Sequence, residues 1–475
     1  MRTCSGDGTG WGACEAQALP AAETCAAPED ENCDGFDCAL WSKSFGSAGA
    51  AQIPLGVAVD AQGNILLAGT FAGTISFGAS LLISSGGKDY FLAKLSTNGE
   101  PIWAISFGDA VDNGDAIDIA TDPSGDITIA GELRGSIDID QTSLMSSAGT
   151  DIFVARLDGD GHHLWSHTFG NGATQRPKAI TFSQGNVIVA GDFIGTLDFG
   201  GSPLTSADYD IFVVSFDPDS GVHEWSSQFG ESSGQQTSEQ QASAIAGDAA
   251  GNIALIGRFN TSIGFGAAST THSGYAGFVG KLDKNGQPAW LRKLTSCEPH
   301  GLAVDTMGGL LVTGEFTGSA NLGGGIVESH GFADVFLARY NTGGGHVWSA
   351  RFGEENRDVG TAAAFDAQGN VLLAGVTHGN IDFGGGVSEG EPNEGQLIFE
   401  DMFTAKLDDV GTHLWSKRFG DKQRQIVHAL AIDPTSNGVF VIGSNNGVID
   451  FGDGPRSTSG NLGIDVDAVI AKIAP

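Results

Sequence analysis

The sequence predicts an all-β chain, a seven-bladed β-propeller with four antiparallel strands per blade, preceded by a short cysteine-rich module. Three observations predict it. The stretch Trp41-Ser42-Lys43-Ser44-Phe45-Gly46 returns in close copies beginning at Trp103, Trp165, Trp225, Trp290, Trp348 and Trp415, 58 to 67 residues apart. A period of that length marks stacked supersecondary units. Each period holds four short β-type runs separated by turn signals. Finally, 73 glycines beside 40% hydrophobic residues, with no three-residue rule, fit many tight turns between short strands.

Residues 1–39 read as a separate module and 40–475 as the propeller. Cys4, Cys14, Cys25, Cys33 and Cys38 crowd into that module, where large apolar residues are too few to hold a fold without cross-links. Five cysteines leave one unpaired, and spacing alone leaves the connectivity open. Asp30, Asn32 and Asp34 stand at positions 1, 3 and 5 of a loop with Gly35 at position 6, matching the first half of an EF-hand-like loop. The second half departs from it. Position 12 is Trp41, so Asp37 or Glu29 has to complete the shell. Calcium is the expected ion, at a dissociation constant no better than about 10⁻⁴ to 10⁻³ M. The competing reading is an acidic, solvated turn beside a disulfide.

In the first unit the runs are 56–60, 65–71, 90–95 and 102–107, named a, b, c and d. The a-to-b link is Asp60-Ala61-Gln62-Gly63-Asn64, echoed at Asp122, Asp248 and Asp366. The c-to-d link is a second tight turn, as in Asp158-Gly159-Asp160-Gly161. Asp, Asn and Gly at these offsets supply side-chain hydrogen bonds and positive φ, so each pair of runs reads as an antiparallel hairpin. Seven b runs begin at Ile65, Ile127, Val187, Ile253, Leu310, Val371 and Val439, and they number the units one to seven.

The chain opens with a lone d run at Trp41 and ends with a, b and c but no d. The Trp41 run is therefore expected to complete the last blade and close the ring without an open sheet edge. An open solenoid would need polar capping repeats. The tryptophans are expected between blades, each burying ~150 to 250 Å², with Phe91, Phe153, Phe212, Phe278, Phe336 and Phe403 of the c runs also in the core. Between b and c, repeats such as Gly73-Thr74-Ile75-Ser76-Phe77-Gly78 predict an extension of the hairpin. Unit four departs most: Leu294-Thr295 replaces Phe-Gly, Cys297 follows, and the Asp before the c run is missing. Cys297 and Cys38 fall at opposite ends of their d runs and are not expected to pair.

With 57 Asp and Glu against 23 Lys and Arg, the net charge of -34 disfavours nucleic acid and anionic membranes. No run of about 18 apolar residues is long enough to span a bilayer. Met1-Arg2-Thr3 leads straight into Cys4, without an apolar leader, while the cysteines argue for export. The expectation is an extracellular or cell-surface protein, monomeric, whose leader lies outside this chain.

The repeat Asp-x-Phe-Val/Leu-Ala-Lys/Arg-Leu, as in Asp151 to Leu157 and Asp401 to Leu407, then Trp-Ser-x-x-Phe-Gly, resembles the bacterial seven-bladed β-propeller (SBBP) repeat family over about nine tenths of the chain. The leading module, with Gly10-Trp11-Gly12-Ala13-Cys14 and Asn32-Cys33-Asp34-Gly35, resembles the Cys-rich metal-binding motif of secreted myxobacterial proteins. The resemblance implies an exported scaffold and brings no catalytic residues.

For function, the d-to-a loops vary most, and in a propeller they share one face with the b-to-c loops, around the channel mouth. The candidate ligand-binding residues are Asp112, Arg176, Glu298, His300, Arg357, Asp358, Arg424 and His428, for a protein or glycan partner. A binding or adhesion scaffold is the leading reading. The alternatives are a secreted carbohydrate-active lyase or hydrolase using His300 or His428, or a purely structural surface module. Catalysis is the weaker reading, because no nucleophile elbow, zinc motif or phosphate loop is present.

Overall fold

The computed structural model describes residues 39–230, 239–388, 399–461 and 465–474. The cysteine-rich module, with its disulfide and calcium expectations, lies outside the described residues. Those residues form strands and turns only, without a helix.

Turn chemistry builds the hairpins. Asp60 Oδ1 accepts the backbone N–H of Gln62 (3.0 Å) and of Asn64 (2.8 Å), while Gly63 takes φ +81°. Asp283 does the same in a c-to-d turn, accepting from Asn285 and Gln287 (2.9 Å each), with Gly286 at φ +74°. One carboxylate thus satisfies two turn donors, and glycine supplies the left-handed residue at no steric cost.

In the first unit the a, b, c and d strands are Gln52–Val59, Ile65–Phe71, Asp89–Leu95 and Pro101–Phe107, paired antiparallel in that order. Units two, three and six repeat this four-stranded sheet. In the last sheet the fourth strand is the first of the chain: Ala39–Phe45 pairs with Asp467–Ile473, Ser42 facing Ala471 and Phe45 facing Ala468. Units four and five are joined through Pro288–Val304, whose first half pairs with Ala268–Leu282 and second half with Leu310–Asn321.

That fusion has a physical cause. Elsewhere the glycine ending the d motif lies against the Asp that opens the c strand: a Cβ on Gly46 or Gly170 would sit 2.0 Å from Asp467 or Asp151 Oδ1. The same carboxylates hold the b-to-c excursion, accepting Ser459 N (2.8 Å) and Ser147 N (2.6 Å). Unit four has Thr295 and Ala276 at these places, paired as ordinary strand neighbours, so nothing turns the chain out of the sheet. The excursion itself differs from the expectation in most units. It extends the hairpin in units three and four, but in unit one Thr74–Phe77 and Ser80–Ile83 form a separate two-stranded ribbon, as their counterparts do in units two, six and seven.

Among the described residues no sheet closes on itself; packing between sheets makes the circuit. Each a strand contacts the a strand of the next unit, and Gln425–Ile432 returns to Gln52–Val59. The apolar clusters follow the same order, and one joins Phe440, Ile442 and Ile470 to Ile65, Leu67 and Phe91. The c-strand phenylalanines named above are fully buried. The tryptophans are placed between units but are mostly half-buried, Trp165 excepted. Each of six rings lies on the c-to-d turn glycine of the next unit, where a Cβ on Gly99 would meet Trp41 at 2.6 Å and one on Gly286 would meet Trp225 at 2.4 Å. Trp41 Nε1 also donates to Thr97 O (3.2 Å), and Trp290 Nε1 to Thr342 O (3.1 Å).

Candidate binding face

Six a strands carry the same bulge, opposite the glycine of their b strand. The glycine is required there. The bulge drives an a-strand carbonyl inward, so that a Cβ on Gly191, Gly314 or Gly375 would lie 2.0 to 2.1 Å from the oxygen of Arg176, Glu298 or Val359. A bulge inserts one extra residue and re-aims its side chain. The extra residues are Leu55, Lys178, Ser243, His300, Thr361 and His428.

The residue after each b-strand glycine is Thr70, Glu132, Asp192, Arg258, Glu315, Val376 or Ser444. Bulge and b strand meet here: His300 Nε2 lies 3.7 Å from Glu315 Oε1, and His428 Nε2 is 3.0 Å from Ser444 Oγ. Lys178 in turn acts electrostatically on Asp192. Charged side chains therefore line the same end of several consecutive units.

From unit two to unit seven they form one band. Arg134 binds Glu132 (3.0 Å) and Asp115 (3.3 Å). Arg176 stands 3.9 Å from Glu132 and 4.0 Å from Asp192, over the Tyr209 ring at 5.1 Å. Arg258 binds Glu298 (2.7 Å) and Gln241. Arg357 grips Glu315 through Nε (2.9 Å) and Nη2 (2.6 Å), while its Nη1 is 4.0 Å from Glu400. Arg424 pairs with Glu400, which His378 approaches at 3.5 Å.

Burial opposes charge at three groups of this band. It pushes Asp192 up to about 6 despite Lys178 and Arg176, and both Asp192 oxygens are without a hydrogen-bond donor. His428 is pushed down to about 4 by burial and the nearby Arg424, so it is neutral at pH 7. Burial also works against the Glu315 carboxylate, yet His300 and Arg357 hold it below its ordinary value.

The structure gathers six of the eight predicted residues into the band: Arg176, Glu298, His300, Arg357, Arg424 and His428. Asp112 accepts the Lys88 N–H (2.8 Å) at its outer end. Asp358 is placed differently. It is 1% exposed, at the first position of its a strand, where Gln52, Gln175, Gln240 and Gln425 are also buried and brace loops. Burial raises its carboxyl to about 6, and it accepts Glu354 N (3.3 Å), so it serves the fold rather than a surface. Sequence reasoning missed Glu132, Asp192, Arg258, Glu315 and Glu400. For the first four the signal was a charge inside a b strand, whereas Glu400, just before the c strand Asp401–Leu407, offered none.

The enzyme reading named His300 and His428, both in the band; three other histidines serve the repeat. His163, His223 and His413 each approach a serine three residues on, Nε2 to Oγ distances being 2.8, 3.1 and 3.0 Å. Repetition in the d strands of units two, three and six marks that pair as a brace of the repeat.

Comparison with solved structures finds propellers. The Pan2 WD40 domain of Neurospora crassa is 9% identical, with 91% of this chain and 98% of that one covered, at TM-score 0.42. The Dos1 propeller is 11% identical, covering 91% and 94%, at TM-score 0.44. BamB of Moraxella catarrhalis is 10% identical, covering 90% and 99%, at TM-score 0.37. No family model matches the chain, and comparison with curated proteins returns no match.

Proposed function

We propose that the chain is a seven-bladed propeller of four-stranded blades, closed by the Trp41 strand, acting outside the cell or on its surface as a binding scaffold. The ligand sits on the charged band. The observation that carries this reading is unspent donor capacity. Among the described residues the Arg176 side chain makes no hydrogen bond, Lys178 acts on Asp192 through charge alone, and Arg357 and Arg424 keep 47% and 57% of their side chains exposed. In a chain with 23 Lys and Arg against 57 Asp and Glu, this band matches six cations (Arg134, Arg176, Lys178, Arg258, Arg357, Arg424) to six carboxylates (Asp115, Glu132, Asp192, Glu298, Glu315, Glu400), a concentration of positive charge found against the chain's acidic balance. Alternating donors and acceptors on a uniform frame suit a glycan bearing hydroxyl and carboxylate groups, because arginine binds carboxylates through paired N–H groups.

A glycan array probed with the full chain tests this. Reproducible binding, lost with Arg357→Ala or Arg424→Ala, is expected; a blank array, or binding indifferent to both changes, overturns it. The cysteine-rich leader, with Asp30, Asn32, Asp34 and Asp37, supports export and a calcium-stiffened attachment, and the resemblance to the SBBP repeats points the same way.

A further inference from the structure

At the opposite end of the units, each a-to-b turn carries an acid that meets a base of its c strand. Lys94 and Asp60 are 3.2 Å apart, Arg156 and Asp122 2.7 Å, Lys281 and Asp248 2.9 Å, Arg339 and Asp305 2.7 Å, Lys406 and Asp366 2.9 Å, and Lys472 and Asp433 2.7 Å. Unit three breaks the pattern at both positions. Ser183 replaces the acid and Ser215 the base, both at least nine-tenths buried, and the Ser183 Oγ has no hydrogen-bond partner.

A third position changes with them. The residue before the repeat tryptophan is Leu40, Ile102, Leu164, Ala289, Val347 or Leu414 elsewhere, but Glu224 in unit three. Its Oε2 accepts from Ser215 Oγ (2.8 Å) and from Asn186 Nδ2. Where the ion pair would have stood, a cleft of about 310 Å³ opens between units three and four. Ser183, Gln184 and Asn186 line one side, Glu224 and Trp225 another, and Lys284 and Asn285 of the next c-to-d turn the third.

We propose that this cleft binds a small neutral hydroxylated molecule, such as the terminal residue of a glycan. Its charged groups are one carboxylate and one ammonium, a balance that suits neither a phosphate nor a divalent cation. The remaining polar groups are amides and a hydroxyl, several of them uncommitted: Gln184 spends Nε2 on Ala250 O (3.0 Å) and keeps its carbonyl, and Asn285 and Lys284 have no side-chain partner among the described residues. Sugar hydroxyls donate and accept at once, and so satisfy such a mixed set. The buried, unpaired Ser183 Oγ is a standing cost beside the cleft where other units place an ion pair. The volume lies at the small end of the range for ligand clefts, roughly 300 to 1,000 Å³. Three coordinated departures from an otherwise repeated brace, two of them lining one cavity and the third, Ser215, hydrogen-bonded to its Glu224, are what a dedicated site requires.

The test is saturation-transfer NMR on the full chain with glucose, galactose, mannose and N-acetylglucosamine at millimolar concentration. At least one sugar is expected to receive transfer. Ser183→Asp with Ser215→Lys restores the ion pair of the other units and fills the cleft; it should weaken that signal at least about tenfold while holding or raising the thermal midpoint. Glu224→Leu, which restores the residue found at Leu40, should do the same, and decides alone if the double variant does not fold. A signal lost in Arg357→Ala but kept in the refilled variants would place the sugar on the charged band and overturn this site. Absence of transfer to all four sugars, or an equal signal in the refilled variants, overturns the proposal.

Discussion

At the scale of single residues, the repeat is explained by collisions avoided. Gly375 follows an extended backbone, yet a Cβ there would lie 2.0 Å from Val359 O and 2.7 Å from the Phe403 ring. Gly375→Ala is expected to cost about 1 to 3 kcal/mol, as other forced overpacking does, measurable as a lower denaturation midpoint at unchanged slope. Asp192 carries a prediction of the opposite sign. Its folded pKa is raised to about 6, above the unfolded value of 3.8, so stability is lost as pH rises through that interval and the loss is complete above pH 6. Asp192→Asn should therefore be more stable than the parent at pH 8, by at most about 3 kcal/mol, with the advantage vanishing near pH 4. His428 acts the other way, since its lowered pKa makes stability fall as pH drops from 6.5 toward 4. Thermal scans of Asp192→Asn and of His428→Gln across that range separate the two groups. The loop arginines of the band were legible in the sequence because loop variation on a uniform frame exposes them. The strand charges were not, because a lone Glu or Asp between apolar neighbours does not announce which neighbour in space it serves.

At the scale of elements, the turn acids and c-strand bases form buried braces. Lys472 and Asp433 are 8% and 0% exposed at 2.7 Å, and Asp433 also accepts from Thr435 N (2.8 Å) and from Ser436 Oγ (2.6 Å). Removing one partner leaves the other charged and buried. Asp433→Ala is expected to cost roughly 3 to 5 kcal/mol, read from chemical denaturation. Strand order and turn type were legible because Asp-x-x-Gly-Asn states its own geometry in sequence. The fusion of units four and five was only half legible. Thr295 and the absent acid were visible, but that a glycine and an aspartate share one space, and that losing both lets a strand run on, needed the packing.

At the scale of the whole molecule, the circuit depends on the first strand joining the last sheet. Ala39–Phe45 pairs with Asp467–Ile473, Ser42 donates to Asp453 Oδ1 (2.6 Å), and Trp41 rests on the turn of unit one. The chain ends announced this pairing in sequence, as an orphan d run at one end and a missing one at the other. The leader beyond it carries its own prediction: millimolar calcium should raise the thermal midpoint of the oxidised chain, and Asp30→Ala or Asp34→Ala should abolish the rise, because an ion bound only by the folded form stabilises it. The clasp is central, since it joins the first strand of the described residues to the last sheet. The most direct measurement is thermal unfolding of the full chain beside a version lacking residues 1–46. The clasp predicts one cooperative transition for the full chain and a clearly lower, broader one for the shortened chain, whose strand Asp467–Ile473 is left as an open edge. An unchanged midpoint and width after deletion would contradict it.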